Sequence, residues 1–202
     1  MTASPTHFEL SSDPPGVTRG GSGSGAASCS PCRFAYADPP YLGLSASFYG
    51  EIHEAAADYD KPEKHRELIE RLCDEYPDGW VMHLHEPALR EILPMTPSDC
   101  RVMAWVKGFA SFKPTARHAQ YAWEPVIVRG GRKRTESHCI RDWHKASIAL
   151  KKGFRGAKPP EVVHWLMEVL NVQPQDTVDD LFPGSGAVTK AIESWNNQQR
   201  LF

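Results

Sequence analysis

The chain has 202 residues, 41% of them hydrophobic, with six tryptophans and a formal net charge of −2. That length and apolar content suit one sizeable core and exclude an intrinsically disordered chain. No apolar run approaches membrane-spanning length and no basic-then-apolar leader opens the chain, so a soluble, cytoplasmic protein with no membrane partner is expected.

Residues 1–30 are rich in Gly, Ser and Pro, with the run Gly20-Gly21-Ser22-Gly23-Ser24-Gly25, and read as a disordered tail ahead of a single domain over 31–202. Five cysteines at irregular positions suit reduced thiols. Cys29-Ser30-Pro31-Cys32 has zinc or redox spacing but no second paired cluster, so no metal is expected. Arg33 to Ala37 reads as a first strand that runs straight into Asp38-Pro39-Pro40-Tyr41. Residues 62–75 read as an amphipathic helix, with Pro62 in its first turn and Leu68, Ile69 and Leu72 on one side. A second strand (Trp80 to His85), a short helix (Pro87 to Leu93), a third strand (Arg101 to Val106) and a fourth (Pro125 to Val128) follow.

Residues 129–158 then form a basic loop, with ten Lys and Arg against two acidic residues, a local charge of +8 that leaves −10 for the rest. Such asymmetry points to an anionic partner on one face. Pro159 to Leu170 reads as a helix with apolar residues at buried spacing, Thr177 to Leu181 as a fifth strand, Ala187 to Trp195 as a helix, and Arg200 to Phe202 as the opening of a sixth strand. This alternation predicts an α/β fold, a largely parallel sheet with helices on both faces, whose ligands sit beyond the carboxyl ends of the strands.

Two strand ends carry candidate chemistry. In Asp-Asp-Leu-Phe182-Pro183-Gly184-Ser185-Gly186, glycines between a strand and a helix let backbone amides approach a ligand at the helix N-terminus. At the other end, Asp38 offers a side-chain acceptor and Pro39 a backbone carbonyl. The prolines restrict the chain, and Tyr41 supplies a stacking face. Such a pocket suits a planar base bearing an amino group.

These strings, together with Lys152-Gly153-Phe154-Arg155-Gly156-Ala157-Lys158-Pro159, resemble the DNA amino-methyltransferases. Their order (Asp-Pro-Pro-Tyr first, Lys-Pro helix next, Phe-x-Gly-x-Gly last) resembles the beta group of that family, over roughly residues 33 to 202. The resemblance implies a Rossmann-like S-adenosylmethionine-dependent methyltransferase fold. It implies transfer of a methyl group from S-adenosylmethionine to the exocyclic N6 of adenine in DNA, as in restriction–modification. Asp38, Pro39, Pro40 and Tyr41 would be catalytic. Asp38, Phe154, Gly156, Lys158, Pro159, Asp180, Phe182, Gly184, Ser185 and Gly186 would contact the cofactor.

Asp180 would accept from the cofactor's ammonium, and Phe182 would line its apolar wall. The partner would be DNA with a flipped-out base, held through Arg132, Lys133, Arg134, Arg141, Lys145 and Lys151 with Trp143 interleaved, and a homodimer is compatible with the resemblance. Asp as the first motif residue favours adenine; N4 of cytosine, adenine in RNA, and a catalytically inactive nucleic-acid-binding relative are the alternatives. The chain ends at Phe202, ahead of the acidic residue that grips the ribose in this family, so weak ribose contacts or a partly degraded relative are expected.

Overall fold

A computed structural model describes residues 30–45, 54–111, 121–134, 138–148 and 157–199. The expected sixth strand at 200–202, Lys151, Phe154 and Gly156 lie outside the described residues. Six strands, β1 (Arg33–Ala37), β2 (Gly79–His83), β3 (Arg101–Ser111), β4 (Tyr121–Gly130), β5 (Trp143–Lys145) and β6 (Thr177–Asp180), form one sheet in the order β5-β3-β4-β2-β1-β6. Its helices are α1 (Pro62–Glu75), α2 (Leu89–Ile92), α3 (Pro160–Leu170) and α4 (Ala187–Gln199), with 3₁₀ turns at Glu54–Asp60, Glu86–Ala88 and Leu93–Met95. All belong to one compact unit, Pro31–Phe202.

The sheet is largely parallel because β1 pairs in parallel with both β2 and β6, and β3 with β5; β4 alone runs against its neighbours. The short β1 shows why both faces are covered. Phe34 and Tyr36 pack on one side with Val162, Val163, Leu166 and Leu170 of α3 and Val188 and Ile192 of α4. Ala35 and Ala37 pack on the other with Leu68, Ile69 and Leu72 of α1 and Ile92 of α2. An apolar run without polar alternation is what a strand buried on both faces requires.

β3 and β4 extend beyond the expected 101–106 and 125–128, and β5 forms a strand inside the expected basic loop. Val106 pairs with Lys145 and Trp105 with His144 along that edge, so neighbouring backbone rather than apolar pattern specifies β5. Where β4 ends, glycine is obligatory. Gly130 (φ 71°) pairs with Gly79, and a Cβ on it would fall 2.7 Å from the Asp78 carbonyl oxygen.

The same edge of the sheet is locked by Asp176. Its buried carboxylate accepts from the Cys32 amide (2.8 Å) and the Gln173 amide (2.8 Å) and pairs with the Arg132 guanidinium. Among the described residues, no helix is long and apolar enough to cross a membrane.

Replacing Asp176 by Ala removes the buried counter-charge of Arg132 and the acceptor of two backbone amides ahead of β1 and β6. A loss of about 3 kcal/mol in folding stability is expected, the range for breaking a buried ion pair by removing one partner, read by urea denaturation. A loss under about 1 kcal/mol would show that the contact is not holding the strands together.

Candidate functional site

The site grows from one register. Tyr36 lies opposite Asp180 across the parallel β1–β6 pair, and the Leu181 amide donates to the Tyr36 carbonyl at 3.0 Å. Both strands end there, so Asp38-Pro39-Pro40-Tyr41 and Leu181-Phe182-Pro183-Gly184 leave the sheet side by side, from strands about 4.8 Å apart. Pro39 is buried and Asp38, Pro40 and Tyr41 are half-buried. Ser45 holds the loop that follows: its hydroxyl donates to the Tyr41 carbonyl at 2.8 Å and its amide to Asp60 Oδ1 at 2.9 Å.

Lys158, in the segment just before α3, points its ammonium at this loop and is only 4% exposed. Its Nζ lies 2.8 Å from Asp38 Oδ1 and 2.9 Å from the Tyr41 hydroxyl oxygen. Glu124, at the start of the antiparallel β4, reaches the same spot because that end of β4 lies at the carboxyl edge of the other strands. Tyr41 donates to Glu124 Oε2 at 2.9 Å, and Lys107 of β3 meets Glu124 Oε1 at 2.5 Å.

Four alternating charges (Asp38, Lys158, Glu124, Lys107) thus line up across the edge of the sheet, with Tyr41 spanning the two carboxylates. The buried Trp105 ring lies beneath, 5.3 Å from Lys107 Nζ and 5.8 Å from Lys158 Nζ. The Tyr41 ring lies parallel to His85, with centroids 6.0 Å apart.

The two carboxylates are driven apart in acidity. Burial pushes the Asp38 carboxyl above its ordinary range, Glu124 adding to the effect, and Lys158 and Tyr41 only partly oppose it. Burial acts on Glu124 too, but the Lys158 and Lys107 charges outweigh it and hold that carboxyl below the ordinary range. Beneath them, Tyr36 Oη lies 2.7 Å from His83 Nε2, and burial keeps His83 far below its usual value and therefore neutral.

The glycine-rich loop is braced from inside. Asp180 Oδ1 accepts from the Phe182 amide (3.2 Å) and Oδ2 from the Thr189 hydroxyl (2.7 Å), so this carboxylate ties the loop to α4. Phe182 packs edge-on against Tyr59, with centroids 5.5 Å apart. Gly184 (φ 42°) and Gly186 (φ 72°) adopt left-handed conformations. Gly184 and Ser185 are exposed, and a Cβ on Gly186 would meet nothing within 4 Å. The loop therefore presents open space ahead of α4. Pro159 is buried beside Lys158.

The basic residues divide. Arg132 is committed to Asp176 and Arg134 donates to the Glu168 carbonyl. With the exposed Lys133 between them, they lie at the amino edge of the parallel strands, opposite Asp38, because β4 runs the other way. Arg141 and Lys145 are exposed at β5. The Arg141 guanidinium lies 5.5 Å from the ring centre of Trp143, itself 44% exposed. Lys145, level with Val106, lies toward the carboxyl edge of the sheet.

Asp38, Tyr41 and Lys158, expected from the sequence, are brought together here, and Glu124 and Lys107, which the sequence did not single out, join them. The one signal available was Trp123-Glu124-Pro125, a charged residue flanked by Trp and Pro within an apolar strand.

The depressed Glu124 group contributes stability above the ordinary glutamate range, and this contribution is lost as pH falls through its folded value. Lys107→Met weakens the depression. The stability gap between wild type and variant should therefore be present near about pH 7 and close below about pH 4, the ordinary glutamate range. Urea melts across that window read it; a gap that persists unchanged in acid would show that Lys107 does not act through Glu124.

No protein-family model matches the chain, and no curated protein sequence matches it. Among solved structures, the chain is similar to the M1.HpyAVI–SAM complex, with 16% identity, a TM-score of 0.55, and 82% of this chain and 79% of that one covered. TTHA0409 of Thermus thermophilus, solved in complex with S-adenosyl-L-methionine, is 17% identical, with a TM-score of 0.48 and coverage of 82% and 78%. The first of these likenesses, together with the six-stranded mixed sheet and its flanking helices, shows that the chain shares the Rossmann-like fold of that structure.

Proposed function

We propose that the chain is an S-adenosylmethionine-dependent DNA methyltransferase acting on an exocyclic amino group, the N6 of adenine. One observation carries this reading: an acceptor loop, Asp38 to Tyr41, and a glycine loop, Phe182 to Gly186, leave adjacent parallel strands at the same edge of the sheet. Two loops that leave the sheet side by side suit two ligands that must meet at one atom.

The residues fit the cofactor. Space stands open over Gly186, whose amide closes the turn on the Pro183 carbonyl at 2.6 Å, and the helix that follows would place its positive end toward a carboxylate. Gly184, Ser185 and Gly186 would hold the amino-acid part and Phe182 the apolar wall. Asp180 would offer its remaining acceptor capacity to an ammonium while bracing the loop. When bound, S-adenosylmethionine supplies a methyl group on a sulfonium, open to in-line attack by an amine nitrogen.

The chain's own task is to aim that amine. Its lone pair is delocalised into the base, so hydrogen bonds from its N–H groups to Asp38 and to the Pro39 carbonyl favour the pyramidal form and turn the lone pair toward the donor. Asp38, whose carboxyl is pushed upward, is the better placed of the two carboxylates to take the proton that leaves. The Tyr41 ring offers its outer face to the base, opposite His85. Arg141, Trp143 and Lys145 form an exposed cationic and aromatic strip suited to the nucleic-acid backbone.

Tritium transfer from labelled cofactor to duplex DNA, followed by identification of the modified base, tests the reading. N6-methyladenine should appear, and Asp38→Ala should lower the rate at least about a hundredfold, in the range for losing a positioned acid–base group. Cofactor binding without modification of any DNA, or product only on cytosine or RNA, would overturn it. Gly186→Ala adds a Cβ toward the open space at a left-handed position. It should cost about 1 kcal/mol of stability yet weaken cofactor binding at least about tenfold by calorimetry, because close backbone approach is lost.

A further inference from the structure

Lys158 sits between two carboxylates, 2.8 Å from Asp38 Oδ1 and 3.7 Å from Glu124 Oε2. We infer that Glu124 is a second seat for the Lys158 ammonium: when an amino group arrives at Asp38, Lys158 shifts onto Glu124 and releases Asp38 to accept from the incoming N–H. The identity of the arriving group rests on the reading above; the shift itself rests on the geometry of the charges.

Asp38 Oδ1 already accepts from Lys158 and faces the Tyr41 hydroxyl at 3.2 Å. A neutral base amine is a weaker donor than an ammonium and cannot by itself displace one from a carboxylate. Nor can a buried ammonium simply be stranded, since it would lose its counter-charge in a poorly solvated site. A second carboxylate within a short step removes that obstacle. Closing the gap to Glu124 needs a movement of about 1 Å, which a lysine's four-carbon stem accommodates.

Glu124 is built to receive it. Lys107 occupies Oε1 at 2.5 Å, which pins the carboxylate and leaves Oε2 facing Lys158 and Tyr41. Tyr41 lies on the line of travel: its hydroxyl oxygen accepts from Lys158 at 2.9 Å and its proton goes to Glu124 Oε2 at 2.9 Å. The acidities agree with the division of labour, Glu124 held as a standing anion while Asp38 is eased toward its neutral form. Asp38 senses Lys158 from the segment before α3, Glu124 from β4 and Tyr41 from its own loop; the buried Tyr36 beneath senses Asp38, Asp180 and Glu124 together. Glu124 is thus a positioning residue, acting on the acceptor through Lys158.

Three variants of the full chain test this: Glu124→Gln, Lys158→Gln and the double. At saturating cofactor, and at a temperature where the variant is still fully folded, Glu124→Gln should lower kcat at least about tenfold with the KM for DNA little changed, because Lys158 stays clamped on Asp38. Adding Lys158→Gln should recover several-fold of that loss, since the ammonium no longer holds Asp38, whereas a merely structural role predicts that the two losses multiply. Carbon-13 NMR of the Asp38 carboxyl gives a readout independent of activity: its titration should move to lower pH in Glu124→Gln, where the ammonium is undivided and a neighbouring negative charge is gone.

An unchanged kcat, multiplying losses or an unmoved Asp38 titration overturns the inference. If the wild-type chain transfers no methyl group, the functional reading falls and the titration alone decides: a downward move larger with Lys158 present than in the Lys158→Gln background supports the second seat, and an equal or absent one refutes it.

Discussion

Parallel pairing of β1 with β6 is the constraint from which the rest of the site follows. It joins segments far apart in the chain; the bond from the Cys32 amide to Asp176 at its lower end spans 144 positions. A slip of one residue would turn every side chain to the opposite face, sending Tyr36 out of the α3 side. The register is fixed from both ends. Asp176 holds the amide of Cys32 below, Arg33 reaches Asp179 at 2.6 Å along the pair, and the Leu181 amide closes on the Tyr36 carbonyl above. Apolar burial on both faces drives the strands inward, and these polar contacts choose the alignment.

Four charges near the core are tolerated because their signs alternate. Removing charges from water is expensive, and attraction within one pair seldom repays it fully. Here each inner charge touches two of opposite sign: Lys158 meets Asp38 and Glu124, and Glu124 meets Lys158 and Lys107. Tyr41 satisfies further lone pairs, and the Trp105 ring offers its face to both ammoniums. Apolar residues of similar volume would pack in this space with less desolvation, so a polar row kept at the carboxyl edge of the sheet reads as chemistry rather than scaffolding.

The sequence made β1 and α1 plain to the residue, because an uninterrupted apolar run and a 3.6-residue stripe after Pro62 have no competing reading. It also pointed to Asp38 and Lys158, through strings that are conspicuous in isolation. It could not show Glu124 or Lys107. Both lie on strand segments whose extension past the apolar run depends on the partner strand, and Pro125 beside Glu124 argues locally against a strand at all. In the fold, the Pro125 carbonyl accepts from the Leu84 amide at 3.3 Å and the residue sits opposite Ala104. β5 was hidden for the same reason, since Trp-His-Lys carries no strand pattern without β3 beside it. Arg132 was misleading in the other direction: counted along the chain it belongs to a basic run, and only the fold brings it to the buried Asp176, forty-four positions on.

That division reshapes what the positive segment can do. Arg132 to Arg134 lie at the far edge of the sheet, two of the three occupied by protein partners, so the excess charge on the Asp38 side comes from fewer residues than the run suggests. Arg141, Trp143 and Lys145 remain exposed on β5, four strand steps from β1 in the sheet order. Four steps amount to about 19 Å, or about six base steps of duplex at 3.4 Å each. A duplex laid along the carboxyl edge, with one base turned into the hollow at Asp38, would meet the β5 strip about half a helical turn away. Contacts at that distance would fall on phosphates rather than on the target base, so they would position the duplex and contribute salt-dependent affinity while the Asp38 loop would discriminate the base. On the proposed reading, the strand order of the sheet would separate holding the nucleic acid from choosing the atom to be modified.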